Sequence, residues 1–166
     1  IELCDYVREK FKETDILFIP NCMYNTDTPL EDDRYVHNWI IKRMKDSTNV
    51  YAISGDHNLN EIFPVFSLLN MYISNRRHGN AFAAIHGIPF MCLTTGEGYI
   101  GQWHLQPFMK SLDLSNQVLS ITHDSIADLK SLLDSTWDDR KELSSKLNKR
   151  VADLREKART YLDNVL

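Results

Sequence analysis

Short apolar runs alternate with helix-like segments along the first 121 residues of the chain. Five mainly apolar runs predict buried strands, over residues 16–19, 50–53, 71–74, 90–93 and 117–121. Helical spacing of apolar residues predicts intervening helices, over residues 2–13, 32–45 and 102–112, together with an alanine-rich helix closed by Gly87. Asn58 and Glu61 have capping-box spacing for a further helix over residues 58–69, in which Pro64 predicts a kink or a later start. Strands that alternate with helices in this way imply an α/β fold. We expect a Rossmann-like, parallel five-stranded sheet with helices on both faces.

The chain changes character from Asp124 onward, where nine acidic and nine basic residues accompany no glycine and no proline. This composition predicts helix, with a break and a fresh N-cap at residues 134–136. One apolar stripe steps along it by three or four residues: Leu143, Leu147, Val151, Leu154, Ala158, Tyr161 and Val165. We therefore expect a Rossmann-like domain over residues 1–123 and a helical segment over residues 124–166. That segment packs on its own domain, on a missing N-terminal domain or on a second copy.

Three cations follow the third predicted strand at the start of a helix, as Arg76-Arg77-His78. Backbone amides already give a helix start partial positive charge, so each added cation costs about 0.3–1 kcal/mol unless an anion is held there. In parallel sheets, ligands bind beyond the carboxyl ends of the strands, where this cluster falls. The cluster therefore predicts an anion site.

Alternation of side chains along the turn places Arg76 and His78 on one side and lets Arg77 diverge. An arginine that binds a carboxylate or phosphate, beside a histidine that transfers a proton, is a workable catalytic pair. The alternative is a solvated turn whose charges pair with nearby Asp or Glu.

The loops over residues 21–30, 54–58, 75–79 and 94–101 are expected to share the rim of the predicted sheet. His57 either completes an active site or caps a turn, and Asn21 is placed on the rim by its position after the first strand. Residues 96–101 match the dinucleotide fingerprint Gly-x-Gly-x-x-Gly, but that fingerprint belongs to a first strand-helix unit and this loop follows the fourth strand. Trp103 is either a core residue or a platform on which a sugar stacks.

A net charge of −4 and a pI near 5.8 predict no binding to nucleic acid, so the anion site must be local. Three widely spaced cysteines argue against a disulfide framework or a zinc site and favour a reducing, cytoplasmic compartment. No apolar run approaches the roughly 18 residues that a membrane span needs. The first residues show neither an initiator Met nor a signal peptide, so we expect the chain to be a piece of a longer protein.

The segment around the basic cluster resembles the polysaccharide pyruvyl transferases. Members of that family carry a strand followed by Arg-x-His, a helix of small residues, and Gly-x-Pro opening the next strand. The matching residues are Tyr72 to His78, Ala81 to Ala84, and Gly87-Ile88-Pro89. Leu17 to Pro20, Glu61-Ile62, Trp103 and Ser111 to Leu114 also look similar, so the resemblance covers roughly residues 15–121. Many members have Tyr and Lys where Thr95 and Gly98 stand here, and Leu where Arg77 stands.

The resemblance implies a fold similar to one half of a B-type glycosyltransferase, with the active site between two Rossmann-like halves. This chain would be the C-terminal half, so the missing N-terminal domain is an expected partner and the chain alone should bind donor weakly without turnover. The family transfers the enolpyruvyl unit of phosphoenolpyruvate to a sugar of a cell-surface polysaccharide or its precursor. That reaction forms a pyruvate ketal and releases phosphate.

By the resemblance, Arg76 would bind an anion of the donor and His78 would be an acid or a hydrogen-bond donor. No metal or other cofactor is expected, since phosphoenolpyruvate is the donor substrate. A sugar acceptor, for which a lipid-linked form is one option, and a second copy of the chain are further expected partners. The predicted location is the cytoplasm, with the inner face of the membrane as an alternative. The predicted catalytic residue is His78, and the predicted substrate-binding residues are Asn21, His57, Asn75, Arg76, Arg77, Glu97 and Trp103.

Two other functions fit the same sequence. A B-type glycosyltransferase that uses a nucleotide sugar would need a carboxylate for the ribose, and Glu97 is the one good candidate. A non-catalytic domain that assembles through its long terminal helix would leave Arg76 and His78 pointing apart or in internal ion pairs.

Overall fold

A computed structural model describes residues 1–23, 31–94 and 102–165 of the chain. The chain divides into two units, Ile1–Ile62 and Phe63–Leu166. The first unit contains, in chain order, helix α1 (Glu2–Lys10), strand β1 (Ile16–Phe18), helix α2 (Asp33–Ile41), strand β2 (Val50–Ala52) and helix α3 (Leu59–Ile62). The second contains a 3₁₀ helix (Phe63–Leu68), β3 (Tyr72–Ser74), α4 (Arg77–Ile85), β4 (Phe90–Thr94), α5 (Gln102–Ser111), a 3₁₀ turn (Ser115–Gln117), β5 (Val118–Ser120), α6 (Ile126–Asp138) and α7 (Arg140–Val165).

The parallel α/β alternation is confirmed, but the single five-stranded sheet is wrong. Among the described strands, β1 pairs with β2 in one parallel sheet and β3, β4 and β5 pair in that order in another. Apolar runs identify which segments are extended, whereas pairing depends on backbone hydrogen bonds that the pattern does not specify. Leu17 and Tyr51, which pair in the two-stranded sheet, both have exposed side chains, unlike strands in the middle of a covered sheet.

The segment over residues 58–69 is not one continuous α-helix, in agreement with the kink predicted at Pro64. The backbone N–H of Asn58 donates to Glu61 Oε2 at 2.9 Å, and the Asn58 side chain accepts from Asn60 N at 2.9 Å, so the predicted capping pair forms. The α-helix that it starts nevertheless ends at Ile62, and a 3₁₀ helix continues to Leu68. Pro64 lies in this second part, where it has no N–H to give to an α-helical hydrogen bond.

The second unit is built around β4, whose residues Phe90, Met91 and Cys92 are all buried. Strand β4 pairs with β3 on one side and β5 on the other, so it is the central strand of this sheet. Helices α4, α5 and α6 all contact it. The contiguous apolar run that predicted a buried strand is therefore explained by cover on both of its faces.

The terminal helices divide at a different point from the predicted break at residues 134–136. Helix α6 begins with a capping box, in which Ser125 and Asp128 exchange side-chain to backbone hydrogen bonds, and it runs to Asp138. Thr136 does not cap a new helix because it is fully buried, with its Oγ1 2.6 Å from both Gln117 Oε1 and Leu132 O. A hydroxyl held inside the unit in this way is unavailable for a helix end.

Helix α7 packs on α4 and α6 in its first half and is exposed in its second. Leu147 and Val151 of the predicted stripe are buried, whereas Tyr161, Leu162 and Val165 expose more than half of their side chains. In the part of the chain that the structure describes, no helix combines the length and the apolar character needed to cross a membrane.

Candidate functional site

The turn from β3 into α4 presents the backbone amides of a helix start together with cationic side chains. Ser74 ends β3, and its Oγ accepts a hydrogen bond from the Arg76 backbone N–H at 2.9 Å. Arg76 is the N-cap of α4 in an extended conformation (φ −93°, ψ 121°), and no side chain caps the helix. No acidic residue lies in the first turn of the helix. This helix start therefore offers N–H donors and positive potential to an anion.

Asn80 holds the start of α4 in place through buried contacts. Its side chain is fully buried, and Nδ2 lies 3.4 Å from Ser74 O and 3.4 Å from Cys92 Sγ. Burial raises the pKa of the Cys92 thiol to about 11, so the group that Asn80 contacts is a neutral thiol. Asn80 thus ties α4 to the last residue of β3 and to β4. Sequence reasoning missed it, although an amide inside an otherwise small and apolar helix segment is a usable signal.

The charged side chains at the turn differ in their surroundings. Arg76 is half-buried, whereas Asn75, Arg77 and His78 are exposed. Across the described residues, the Arg77 and His78 side chains make no hydrogen bond and no ion pair, so no described carboxylate neutralises these two cations. Guanidinium and imidazole groups that are not neutralised internally remain available to an anion from outside.

Asn21 follows β1 in the first unit, on a loop that is held by a buried carboxylate. Asp33, at the start of α2, accepts hydrogen bonds at its Oδ2 from the backbone N–H groups of Asn21 and Cys22, each at 2.9 Å. The Asn21 side chain turns back, because its Nδ2 donates to Ile19 O at 3.3 Å. Sequence reasoning missed Asp33, whose partners lie eleven and twelve residues away in the chain.

Arg34 joins the start of α2 to the loop after β2 in the same unit. Its Nη2 lies 2.6 Å from Asp32 Oδ2, and its Nη1 lies 2.5 Å from Asp56 Oδ1 and 2.9 Å from Gly55 O. The hydrogen bonds from Arg34 hold the pKa of the Asp32 carboxyl below its usual value. These ionic contacts order the loop that carries His57.

His57 makes contacts within its own loop. Its Nε2 lies 2.6 Å from Ser54 O, and its Nδ1 lies 3.7 Å from Glu61 Oε2. These are the contacts of a turn-capping histidine, one of the two roles that the sequence left open. Its second role, in an active site, stays a prediction.

Comparison with known proteins identifies the chemistry to which this part of the chain is related. The model of the polysaccharide pyruvyl transferase family matches residues 7–97, which is more than half of the chain. The chain belongs to this family. No curated protein and no solved structure matches the chain. The match starts before the predicted 15–121 range and stops short of its end, but it contains the whole unit from Arg76 to Pro89.

Family membership makes the chain a relative of transferases that act on polysaccharide. Asn75, Arg76, Arg77 and His78 come together in one turn of the second unit, while Asn21 and His57 belong to the first unit. Glu97 and the glycine-bearing loop 96–101 lie outside the described residues, as do Thr95 and the side chain of Trp103. Within the described ranges, no group of three or more His, Cys, Asp or Glu residues could hold a metal ion.

Proposed function

We propose that the protein takes part in the transfer of a pyruvyl group from phosphoenolpyruvate to two hydroxyls of a sugar, which forms a pyruvate ketal. The observation that carries the proposal is the helix start of α4. It combines a helix start that has no side-chain cap with exposed Arg77 and His78, which pair with none of the described residues, and it lies inside the region that matches the family. Phosphoenolpyruvate carries a phosphate and a carboxylate, both of which suit such a site.

The reaction needs a proton and charge stabilisation. The donor methylene takes up a proton and becomes a methyl group, two C–O bonds form from sugar hydroxyls to the adjacent carbon, and the C–O bond to phosphate breaks. Of the two protons that the hydroxyls release, one balances the proton on the methyl group and the other leaves with phosphate. In this proposal His78 delivers or shares a proton, and Arg76 together with the amides at the start of α4 binds the donor anion.

The donor, the sugar acceptor and its lipid-linked form, the separate N-terminal domain and the cytoplasmic location are parts of this proposal. They rest on the resemblance of the Arg-x-His to Gly-x-Pro unit to the family motif. The proposal also includes weak donor binding without turnover for the 166-residue chain by itself. A nucleotide-sugar glycosyltransferase, the first alternative, depends on Glu97, which lies outside the described residues.

An assembly role is a second candidate, favoured by one observation. The last turns of α7 leave Tyr161, Leu162 and Val165 exposed along one stretch of helix. This role is compatible with catalysis, because the exposed turns lie at the far end of α7 and the candidate site lies at the start of α4.

The proposal is tested by phosphate release from phosphoenolpyruvate in the full-length protein, with sugar acceptors supplied. Arg76→Ala and His78→Ala should each lower kcat/KM by more than tenfold, or about 1.4 kcal/mol of transition-state stabilisation. Arg159→Ala serves as the matched control, because Arg159 is an exposed cation on α7 outside the candidate site. Losses smaller than tenfold in both site variants would exclude the proposed roles.

A further inference from the structure

A polar cavity of about 330 Å³ lies beside the carboxyl ends of β4 and β5. This volume is at the lower end of small-molecule sites, so it suits a ligand the size of one sugar ring. Its polar lining among the described residues comprises Thr94, Gln106, Lys110, Ser115, Ser120 and Asp124.

The strand and helix registers explain why these side chains converge. Thr94 and Ser120 are paired residues of β4 and β5, so their side chains lie on the same face of the sheet. Gln106 and Lys110 are four residues apart in α5 and therefore share one side of that helix. The cavity is thus a gap between one helix and one sheet face, at the sheet edge where open parallel sheets bind ligands.

The lining offers both hydrogen-bond donors and acceptors that the described residues do not use. Gln106, Lys110 and Ser115 have no side-chain hydrogen bond or ion pair in the described ranges. Asp124 accepts from Ser120 N at 2.6 Å through Oδ2, which leaves Oδ1 available. An ammonium, an amide, a hydroxyl and a carboxylate oxygen together can contact several neighbouring hydroxyls of one ligand.

The cavity differs from the start of α4 in the net charge of its side chains. One lysine and one aspartate line it, so its formal charge is zero, and it offers no excess positive charge to a phosphate or carboxylate. We propose that the cavity binds a neutral saccharide unit, the acceptor end of the transfer. This assignment rests on the proposed function.

The cavity and the helix start of α4 lie on the same side and the same edge of one sheet. Asn80 of α4 contacts Cys92, and Cys92 and Thr94 are two residues apart on β4, so their side chains share a face. Strand β3, which leads into α4, lies beside β4, and β5 lies on the other side of β4, so β3 is one to two strand spacings, about 5–10 Å, from the strands that line the cavity. A bound sugar ring and a bound three-carbon donor can bridge that separation.

The test is a titration of the isotope-labelled chain with methyl hexopyranosides of glucose, galactose, mannose and N-acetylglucosamine, followed through backbone and side-chain amide signals. At least one glycoside should shift the signals of Thr94, Ser120 and Asp124 and the side-chain amide of Gln106 in a saturable way. Loss of one or two hydrogen bonds in Gln106→Ala and Lys110→Ala should weaken this binding about three- to tenfold. Asn164→Ala, an exposed amide on α7, is the control and should leave it unchanged.

Phosphoenolpyruvate is titrated in a separate experiment, so that a failure of the saccharide site can be distinguished from a failure of the donor site. No saturable shift with any of the four glycosides, or equal affinities for Gln106→Ala, Lys110→Ala and the wild type, would overturn the saccharide site while leaving the donor site intact. Saturable glycoside binding that weakens in both variants supports the site even if phosphoenolpyruvate leaves the signals at Arg76 to His78 unmoved. In that case the transferase proposal fails instead.

Discussion

Replacement of Gly87 by alanine should destabilise the second unit through two separable effects, backbone strain and a close contact with a side chain of α7. Gly87 follows α4 and has φ +67°. Two backbone hydrogen bonds close the helix there, from Gly87 N–H to Ala84 O at 3.0 Å and from Ile88 N–H to Ala83 O at 2.8 Å. A Cβ in this left-handed conformation costs roughly 1–2 kcal/mol. The same Cβ would lie 2.6 Å from Nδ2 and 2.7 Å from Cγ of Asn148 on α7.

Displacing Asn148 from its rotamer adds about 0.5–1.5 kcal/mol, so Gly87→Ala should lower the unfolding free energy by about 1.5–3.5 kcal/mol. Urea denaturation followed by circular dichroism measures this loss. Asn148→Ala alone should cost less than about 0.5 kcal/mol, because the side chain is exposed. In the double variant the contact is relieved but the backbone strain stays, so about 1–2 kcal/mol of the loss should persist. Full recovery would refute the backbone reasoning, and a loss below about 0.5 kcal/mol in Gly87→Ala would refute the whole account.

Three further outcomes follow from packing, capping and burial. Leu147→Ala, in the buried half of α7, should lower the unfolding free energy by about 2–5 kcal/mol in urea denaturation. Tyr161→Ala, in the exposed half, should lower it by less than about 0.5 kcal/mol, and equal losses would contradict the exposure of that end. Ser125→Ala removes the N-cap of α6 and should cost about 1 kcal/mol at pH 7. Hydrogen bonds from Ser125 lower the pKa of Asp128, so their stabilisation is present above the ordinary aspartate pKa of about 3.9 and lost as pH falls through the lowered value. The difference between Ser125→Ala and the wild type should therefore shrink toward pH 2, and a difference that grew on acidification would be inconsistent with this sign. Finally, burial raises the pKa of Cys92 to about 11. Iodoacetamide at pH 8 should therefore alkylate Cys92 roughly a hundredfold more slowly than a free cysteine, as followed by mass spectrometry. Labelling at the rate of a free cysteine would show that the thiol is not buried.

The strands could be located from the sequence because contiguous apolar residues are characteristic of buried parallel strands. Their pairing could not, since the connection from β2 to β3 reveals nothing about which backbone groups bond. The pattern also placed a helix break at residues 134–136, where Ser and Thr resemble an N-cap. Thr136 instead contacts Gln117, a partner 19 residues away that no local pattern identifies.

The candidate site likewise contains features that local sequence signals predict and residues that they do not. Helix α4 and its end before Gly87 were predictable, because an alanine-rich segment closed by a glycine is a local signal of a helix and its end. Asn80 and Asp33 were not predicted. Each acts through contacts with distant backbone or side-chain groups, at Cys92 for Asn80 and at the loop after β1 for Asp33. The residues that orient the turn and its loops are therefore visible only once the chain is folded.

The central claim is that the start of α4 binds the anionic donor. Its most direct test is a titration of the labelled chain with phosphoenolpyruvate, monitored through the backbone amide signals of residues 76–80. These amide signals should shift in a saturable way, with an affinity that Arg76→Ala lowers at least tenfold and Arg159→Ala leaves unchanged. Unmoved signals at residues 76–80, or equal affinity in Arg76→Ala and the wild type, would contradict it.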